Sequence, residues 1–161
     1  MNIIVEKKIF LEPKYFDEDI LIHLQKKIQQ SIHSCDAEYG YILKIYKKFK
    51  IISNNISSAG VGAFFNVRFA IQCLKPTCGT EYKSVIKMVF STGIFVEIQD
   101  KIKVLIIGDK IQNYKYNSTK SCFENEKFTL KKDDEINIII ESIRYEKKKF
   151  ICIGNLKTLE N

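Results

Sequence analysis

Phe64-Phe65-Asn66-Val67-Arg68-Phe69-Ala70-Ile71-Gln72-Cys73-Leu74-Lys75-Pro76 divides the chain into the unit before it and the unit after it. Phe65, Val67, Phe69, Ile71 and Cys73 fall on one face while Asn66, Arg68 and Gln72 fall on the other, the period-two pattern of a half-buried strand. Proline lacks a backbone donor and biases its predecessor towards extended conformations, so the ladder is expected to stop at Lys75-Pro76. A domain edge softened by Gly79 follows, giving units over 1–78 and 79–161.

Working back from this strand, the apolar segment Ile3–Leu11 is too short for a stable free helix and reads as a strand. An early proline, Pro13, and the acidic run Asp17-Glu18-Asp19 suit a helix start. Ile20, Leu24, Ile28 and Ile32 then recur every four residues, with Leu21 widening the stripe and Gln25, Lys26, Gln29 and Gln30 on the wet side. That helix is expected to lie on a sheet. Ser34–Glu38 breaks it, and 39–52 reads as a long strand with Lys44, Lys47, Lys48 and Lys50 along its exposed edges. The turn formers of 53–62 then project as a loop. Its glycines are followed by a strand, without Gly-Lys-Ser/Thr and without the helix N-terminus that would hold phosphate, which argues against a nucleotide loop there.

Working forward, five short strands are expected at 82–90, 93–99, 103–107, 135–144 and 149–155. Joined by turns and one longer connection from Gly108 to Asp134, they suit a small Greek-key barrel of the OB type. Ile94, Val96 and Ile98 point inward, and Phe95, Glu97 and Gln99 point out. An outward aromatic on the second strand can stack a nucleic-acid base. Phe95 is therefore a candidate RNA contact, with Lys83, Lys87, Lys103, Lys147, Lys148 and Lys149 as candidate phosphate partners. The competing reading packs Phe95 under a loop or against a partner subunit.

Composition narrows the possible functions. Among 161 residues, 45% are hydrophobic and 12% aromatic, ample for packed cores, and 26 basic against 19 acidic residues leave a net charge of +7. Such an excess favours a polyanion or an acidic partner, although the abundance of lysine, isoleucine and asparagine is also what a compositionally biased genome yields. No apolar run reaches the roughly 18 to 20 residues of a membrane-spanning helix. The charged opening Met1–Lys8 predicts no export. Five cysteines without a CxxC pair argue against both a disulfide framework and a zinc site. Cys73 and Cys78 are spaced C-x4-C but lack further ligands, so the cysteines are expected to be small buried residues, and neither metal nor cofactor is expected. The sequons at Asn55 and Asn117 then read as chance matches. His23 and His33 lie ten residues apart, about 1000° of helical rotation, and face nearly opposite sides. No nucleophile is paired with a base, and the run Asp133-Asp134-Glu135 reads as a solvated turn, so no catalysis is expected.

Two units in this order, with Leu11-Glu12-Pro13-Lys14-Tyr15-Phe16, Tyr39-Gly40-Tyr41-Ile42-Leu43, Phe65-Asn66-Val67-Arg68-Phe69 and Leu74-Lys75-Pro76, resemble the seventh, stalk subunit of eukaryotic RNA polymerase II over nearly the full length. Gly93-Ile94-Phe95-Val96-Glu97-Ile98 sits where that family's S1-type barrel has its glycine-led second strand. The resemblance implies an α+β tip domain, an antiparallel sheet with one packed helix, followed by an all-β S1-type OB barrel. It implies a nuclear, non-catalytic protein acting in transcription initiation and transcript handling. The smaller stalk subunit would be its heterodimer partner, and the tip would dock at the clamp base on the largest subunit and a small shared subunit. Ser57, Ser58, Ala59, Gly60, Val61 and Gly62, with Lys75 and Pro76, would face the core, and the Phe95 and Lys87 face would lie nearest the nascent RNA, gripping it weakly.

Departures from the pattern are specific. Thr92 and Ile106 stand where S1-type barrels carry an aromatic and a histidine, and Thr77 replaces the aromatic that usually follows Lys-Pro. The corresponding subunits of polymerases III and I, which often carry long C-terminal extensions, and a viral relative are alternatives within the class. A free-standing OB-fold RNA-binding protein is the alternative outside it.

Overall fold

A computed structural model describes residues 1–32, 34–111 and 113–157. The chain divides into two compact units, Met1–Lys75 and a second beginning at Pro76. It is mostly β, with one α-helix among the described residues and a closed five-stranded barrel compatible with an OB-like fold.

In the first unit, β1 (Asn2–Leu11) leads through a 3-10 turn at Pro13–Tyr15 to α1 (Ile20–Ser31). Then come β2 (Cys35–Asp36), β3 (Gly40–Ile56) and β4 (Ala63–Leu74), forming an antiparallel sheet in the order β1-β4-β3-β2. The alternation along β4 is what places it in the middle. Ala63, Phe65, Val67, Phe69, Ile71 and Cys73 are all buried and pack with Leu24 and Ile28 of α1. At about 1.5–3 kcal/mol for each large apolar side chain removed from water, this row supplies much of the unit's cohesion. The ladder ends at Leu74, two residues before Pro76.

Several expectations for this unit are corrected. Pro13 opens the separate 3-10 turn, and α1 begins only after Asp19. Leu21 is 57% exposed and does not widen the apolar stripe. The long strand continues to Ile56, so the projecting loop shrinks to Ser57–Gly62. Between the pairs Tyr41–Leu74 and Ile56–Ala63, β3 advances 15 residues while β4 advances 11, so four extra residues are distributed over three bulges. Bulging frees carbonyls from the ladder. Gln25 Nε2 donates to the Lys47 carbonyl at 3.4 Å and Gln29 Nε2 to the Ile45 carbonyl at 3.5 Å. These two glutamines, one helical turn apart, therefore face the irregular strand, which a reading of polar residues as solvent-facing misses. His33 and its orientation lie outside the described residues.

The second unit contains β5 (Glu81–Phe90), β6 (Gly93–Ile98) and β7 (Ile102–Ile107). After a connection come β11 (Glu135–Glu146) and β12 (Lys149–Leu156), and the barrel closes in the order β11-β12-β7-β6-β5. All neighbours run antiparallel except β7 and β12. Ile86, Ile94, Val96, Val104, Ile138 and Ile140 fill the interior with no measurable exposure. Ser84, a polar residue in this core, donates its hydroxyl to the Ile136 carbonyl at 3.1 Å. The connection from Gly108 to Asp134 is not a plain loop. It contains β8 (Lys115–Asn117), β9 (Cys122–Glu124) and β10 (Thr129–Leu130), a small antiparallel sheet that buries Cys122, Phe123 and Leu130. Such short strands lie below the length at which alternation is readable. Asn117, the asparagine of one sequon, accepts hydrogen bonds from the Thr119 and Lys120 backbones and turns β8 into β9. Cys78, expected to be buried, is exposed, while the other four cysteines are buried.

Two predictions follow from this packing. A Cβ on Gly93 would press on the carbonyl oxygen of Ile106, so Gly93→Ala should cost the barrel about 1–3 kcal/mol in urea unfolding of the full chain. A silent substitution would refute that close approach. Burial pushes the Cys152 thiol up from 9.0 to about 11, with Cys78 adding to the shift. Folded protein then holds this proton more tightly than unfolded protein. The associated stability is intact below pH 9.0 and disappears as pH rises towards 11, by at most roughly 3 kcal/mol. Cys152→Val should flatten that part of the pH profile, and an unchanged profile would remove Cys152 as its source.

Candidate functional site

The expected RNA contacts do not form one cluster. Phe95 is half-buried on the outer face of β6, opposite Met88 on β5 and Leu105 on β7. Leu105 is in turn opposite Ile153 on β12. Met88, Phe90, Leu105, Ile107 and Ile151 on these same strands are all more than 40% exposed. The surroundings of Phe95 are thus predominantly apolar, with Glu97 and Lys103 paired across strands at one side.

Lys87 sits at a bulge in β5 and makes a 3.1 Å ion pair with Asp100. Hydrogen bonding to the Asp100 carboxylate, reinforced by its charge, raises the Lys87 pKa and keeps this cation committed within the chain. Lys149 begins β12, two residues before Ile151, which lies opposite Lys103 in the parallel ladder. Lys147 and Lys148 form the two-residue turn between the paired Glu146 and Lys149. Lys103 and Lys147–Lys149 are therefore grouped towards one end of the barrel. Lys83 is elsewhere, opposite Asn137 on β11, across β5 from the Phe95 strand.

Sequence reasoning missed a groove of about 500 Å³ bounded by the Gly108–Asp134 connection and by β5, β11 and β12. Lys83 lines it, together with Lys127, Tyr114 and Phe128. The sequence signal was Asn125, whose side-chain oxygen accepts from the backbones of Lys127 at 2.9 Å and Phe128 at 2.6 Å. An asparagine closing on its second and third followers marks a tight turn, which fixes where those two side chains project.

In the first unit, the Ser57–Gly62 loop is an ordered hairpin tip. Ser57 N–H donates to the Gly62 carbonyl at 2.8 Å, and Gly60 N–H to the Ser57 carbonyl at 2.9 Å. Ser58, Ala59, Gly60 and Val61 are exposed, and Gly62 is buried against Phe10 and Leu11. Ile56, just before the tip, is 80% exposed. Lys75 is exposed and donates Nζ to the Glu38 carbonyl at 3.0 Å, whereas Pro76 is buried. The close contact of Gly40 with the Leu74-Lys75 backbone joins two of the motifs on which the family resemblance rests.

His23 Nε2 lies 3.2 Å from an Asp17 carboxylate oxygen beside the Tyr15 ring, a partner not legible from spacing alone. Among the described residues, no three His, Cys, Asp or Glu side chains converge to hold a metal ion.

No family model matches the chain, and no curated protein matches it. Among solved structures it is similar to an uncharacterized protein from Methanocaldococcus jannaschii at 21% identity and a TM-score of 0.38, over 54% of this chain and 100% of that one. That likeness is too distant to assign a function.

The basic turn supports a further prediction. Lys147 and Lys148 both have left-handed backbones, with φ of 51° and 60°, in a two-residue hairpin that favours Asn-Gly. Replacing them together, Lys147→Asn with Lys148→Gly, should stabilise the chain by about 1–2 kcal/mol in urea unfolding. Loss of stability would mean that the lysines relieve the turn through contacts with their surroundings.

Proposed function

We propose that this chain is a non-catalytic stalk subunit of nuclear DNA-directed RNA polymerase II, paired with the smaller stalk subunit. Its hairpin tip docks at the clamp base, on the largest subunit and a small shared subunit, and biases the clamp towards closure. Its barrel, of S1 type, lies near the RNA exit channel. The motif resemblance suggests the role, and apolar exposure at both surfaces that need a protein partner is the observation that carries it. Ile56 and Val61 stand out at the hairpin tip, and Met88, Phe90, Leu105, Ile107 and Ile151 surround Phe95 on the barrel. Exposed apolar groups concentrated in this way fit contact with protein better than contact with a phosphate backbone. In this reading Phe95 belongs chiefly to the subunit interface, and transcript contacts come from Lys103 and the Lys147–Lys149 turn through a salt-sensitive field.

Purification of the tagged chain at moderate salt, with mass spectrometry of its companions, tests the proposal. The large catalytic subunits of a polymerase should co-purify, and their identity would separate polymerases I, II and III. Deleting Ser57–Gly62 should abolish core association. Ile56→Asp with Val61→Asp, which keeps the hairpin's backbone hydrogen bonds, should weaken it about tenfold or more. Recovery of the chain alone, or core association unchanged in both variants, would overturn the reading.

A further inference from the structure

The groove beside the Gly108–Asp134 connection combines features that neither the fold nor the stalk proposal requires. Four lysines line it, Lys83, Lys110, Lys127 and Lys157, against one carboxylate, Glu135. Lys157 is neutralised by Glu81 at 2.7 Å, and Lys110 is 3.4 Å from Glu141. Lys83 and Lys127 have no ion-pair partner among the described residues. Two cations are thus left available at a concave surface, where their field is concentrated.

Besides the aliphatic Ile111, Leu130, Ile136 and Leu156, the remaining lining is aromatic and amide. Tyr114 is half-buried, and Phe128 is 44% exposed despite standing in a turn braced by the Asn125 side chain and by a 2.9 Å bond from Asn125 N–H to its own carbonyl. An exposed ring on a braced turn has little conformational freedom left to lose on stacking. Asn113 and Asn137 add side-chain amides, which can both donate to and accept from the edge of a base. The volume of about 500 Å³ lies inside the roughly 300–1,000 Å³ range of ordinary small-ligand clefts. It suits one unstacked base with its phosphate.

We propose that this groove binds a nucleotide, with the base against Phe128 and Tyr114 and the phosphate held by Lys83 and Lys127. The ligand is either a free mononucleotide or one unit of single-stranded RNA, since both present the same base and phosphate. An acidic peptide would satisfy the lysines but leave the exposed ring and the amides without a planar partner. The site is separate from the Phe95 face, and it stands whether or not the chain belongs to a polymerase.

The test is fluorescence anisotropy of labelled octauridylate and octaadenylate RNA with the full chain alone, at low and moderate salt. Phe128→Ala should weaken binding about 5- to 100-fold, the range expected for loss of one base stack. Lys83→Gln with Lys127→Gln should weaken it at least about tenfold and lessen its salt dependence. Phe95→Ala should change it less than about twofold. Competition by uridine or adenosine monophosphate identifies a mononucleotide pocket, and octamer binding without such competition identifies a site for one unit of a strand. Both outcomes support the proposal. It is overturned if the groove variants bind like the unaltered chain, if the loss is confined to Phe95→Ala, or if polyglutamate competes as well as RNA. The Lys-to-Gln variants keep a polar side chain at exposed positions, so their result holds even if Phe128→Ala disturbs the turn.

Discussion

Burial of every second side chain along β4 is the constraint on which the first unit depends. A strand hydrogen-bonded on both sides cannot slip by one residue without turning Phe65, Val67, Phe69 and Ile71 out to water. Its register therefore fixes that of β1 and β3, and it fixes where α1 can rest. The four additional residues of β3 do not disturb this register because they are absorbed in bulges, two of whose carbonyls the glutamines of α1 cover. Irregularity in one strand and polarity on one helix face are two parts of the same arrangement.

In the barrel the corresponding constraint is close backbone approach. Gly93 lets β6 lie against the Ile106 carbonyl, and Ile106 turns its side chain fully inward. The outward row that remains is Met88, Phe95 and Leu105, hydrophobic where a nucleic-acid surface would be basic. Cations and aromatics instead converge on the opposite edge of β5, around Lys83.

Much of the architecture was legible because its signals are periodic. The alternation at 65–73, the four-residue spacing of Leu24 and Ile28, and the glycine-led β6 each identify their elements directly. What stayed hidden depends on tertiary partners. Leu21 is apolar and Gln25 is polar, yet Leu21 faces water while Gln25 reaches a carbonyl of the bulged strand. The strands β8–β10 are two or three residues long and have no measurable period. The candidate site was legible as residue types and not as a place. Phe95 and the lysines were identifiable, but only the three-dimensional register separates Lys83 from Lys103 and commits Lys87 to Asp100.

The parallel ladder between β7 and β12 joins residues far apart in the chain, with Lys103 opposite Ile151, 48 positions later. During synthesis β5, β6 and β7 can emerge from the ribosome and pair as a meander, but their free edge stays open until β12 has been made. That edge belongs to β7, whose exposed face already carries Leu105 and Ile107. For that interval the nascent chain presents an unpaired strand beside apolar side chains, the combination most prone to joining a neighbouring chain. The barrel is thus most vulnerable in its last step, and a chaperone or an early-arriving partner subunit on this edge would protect it.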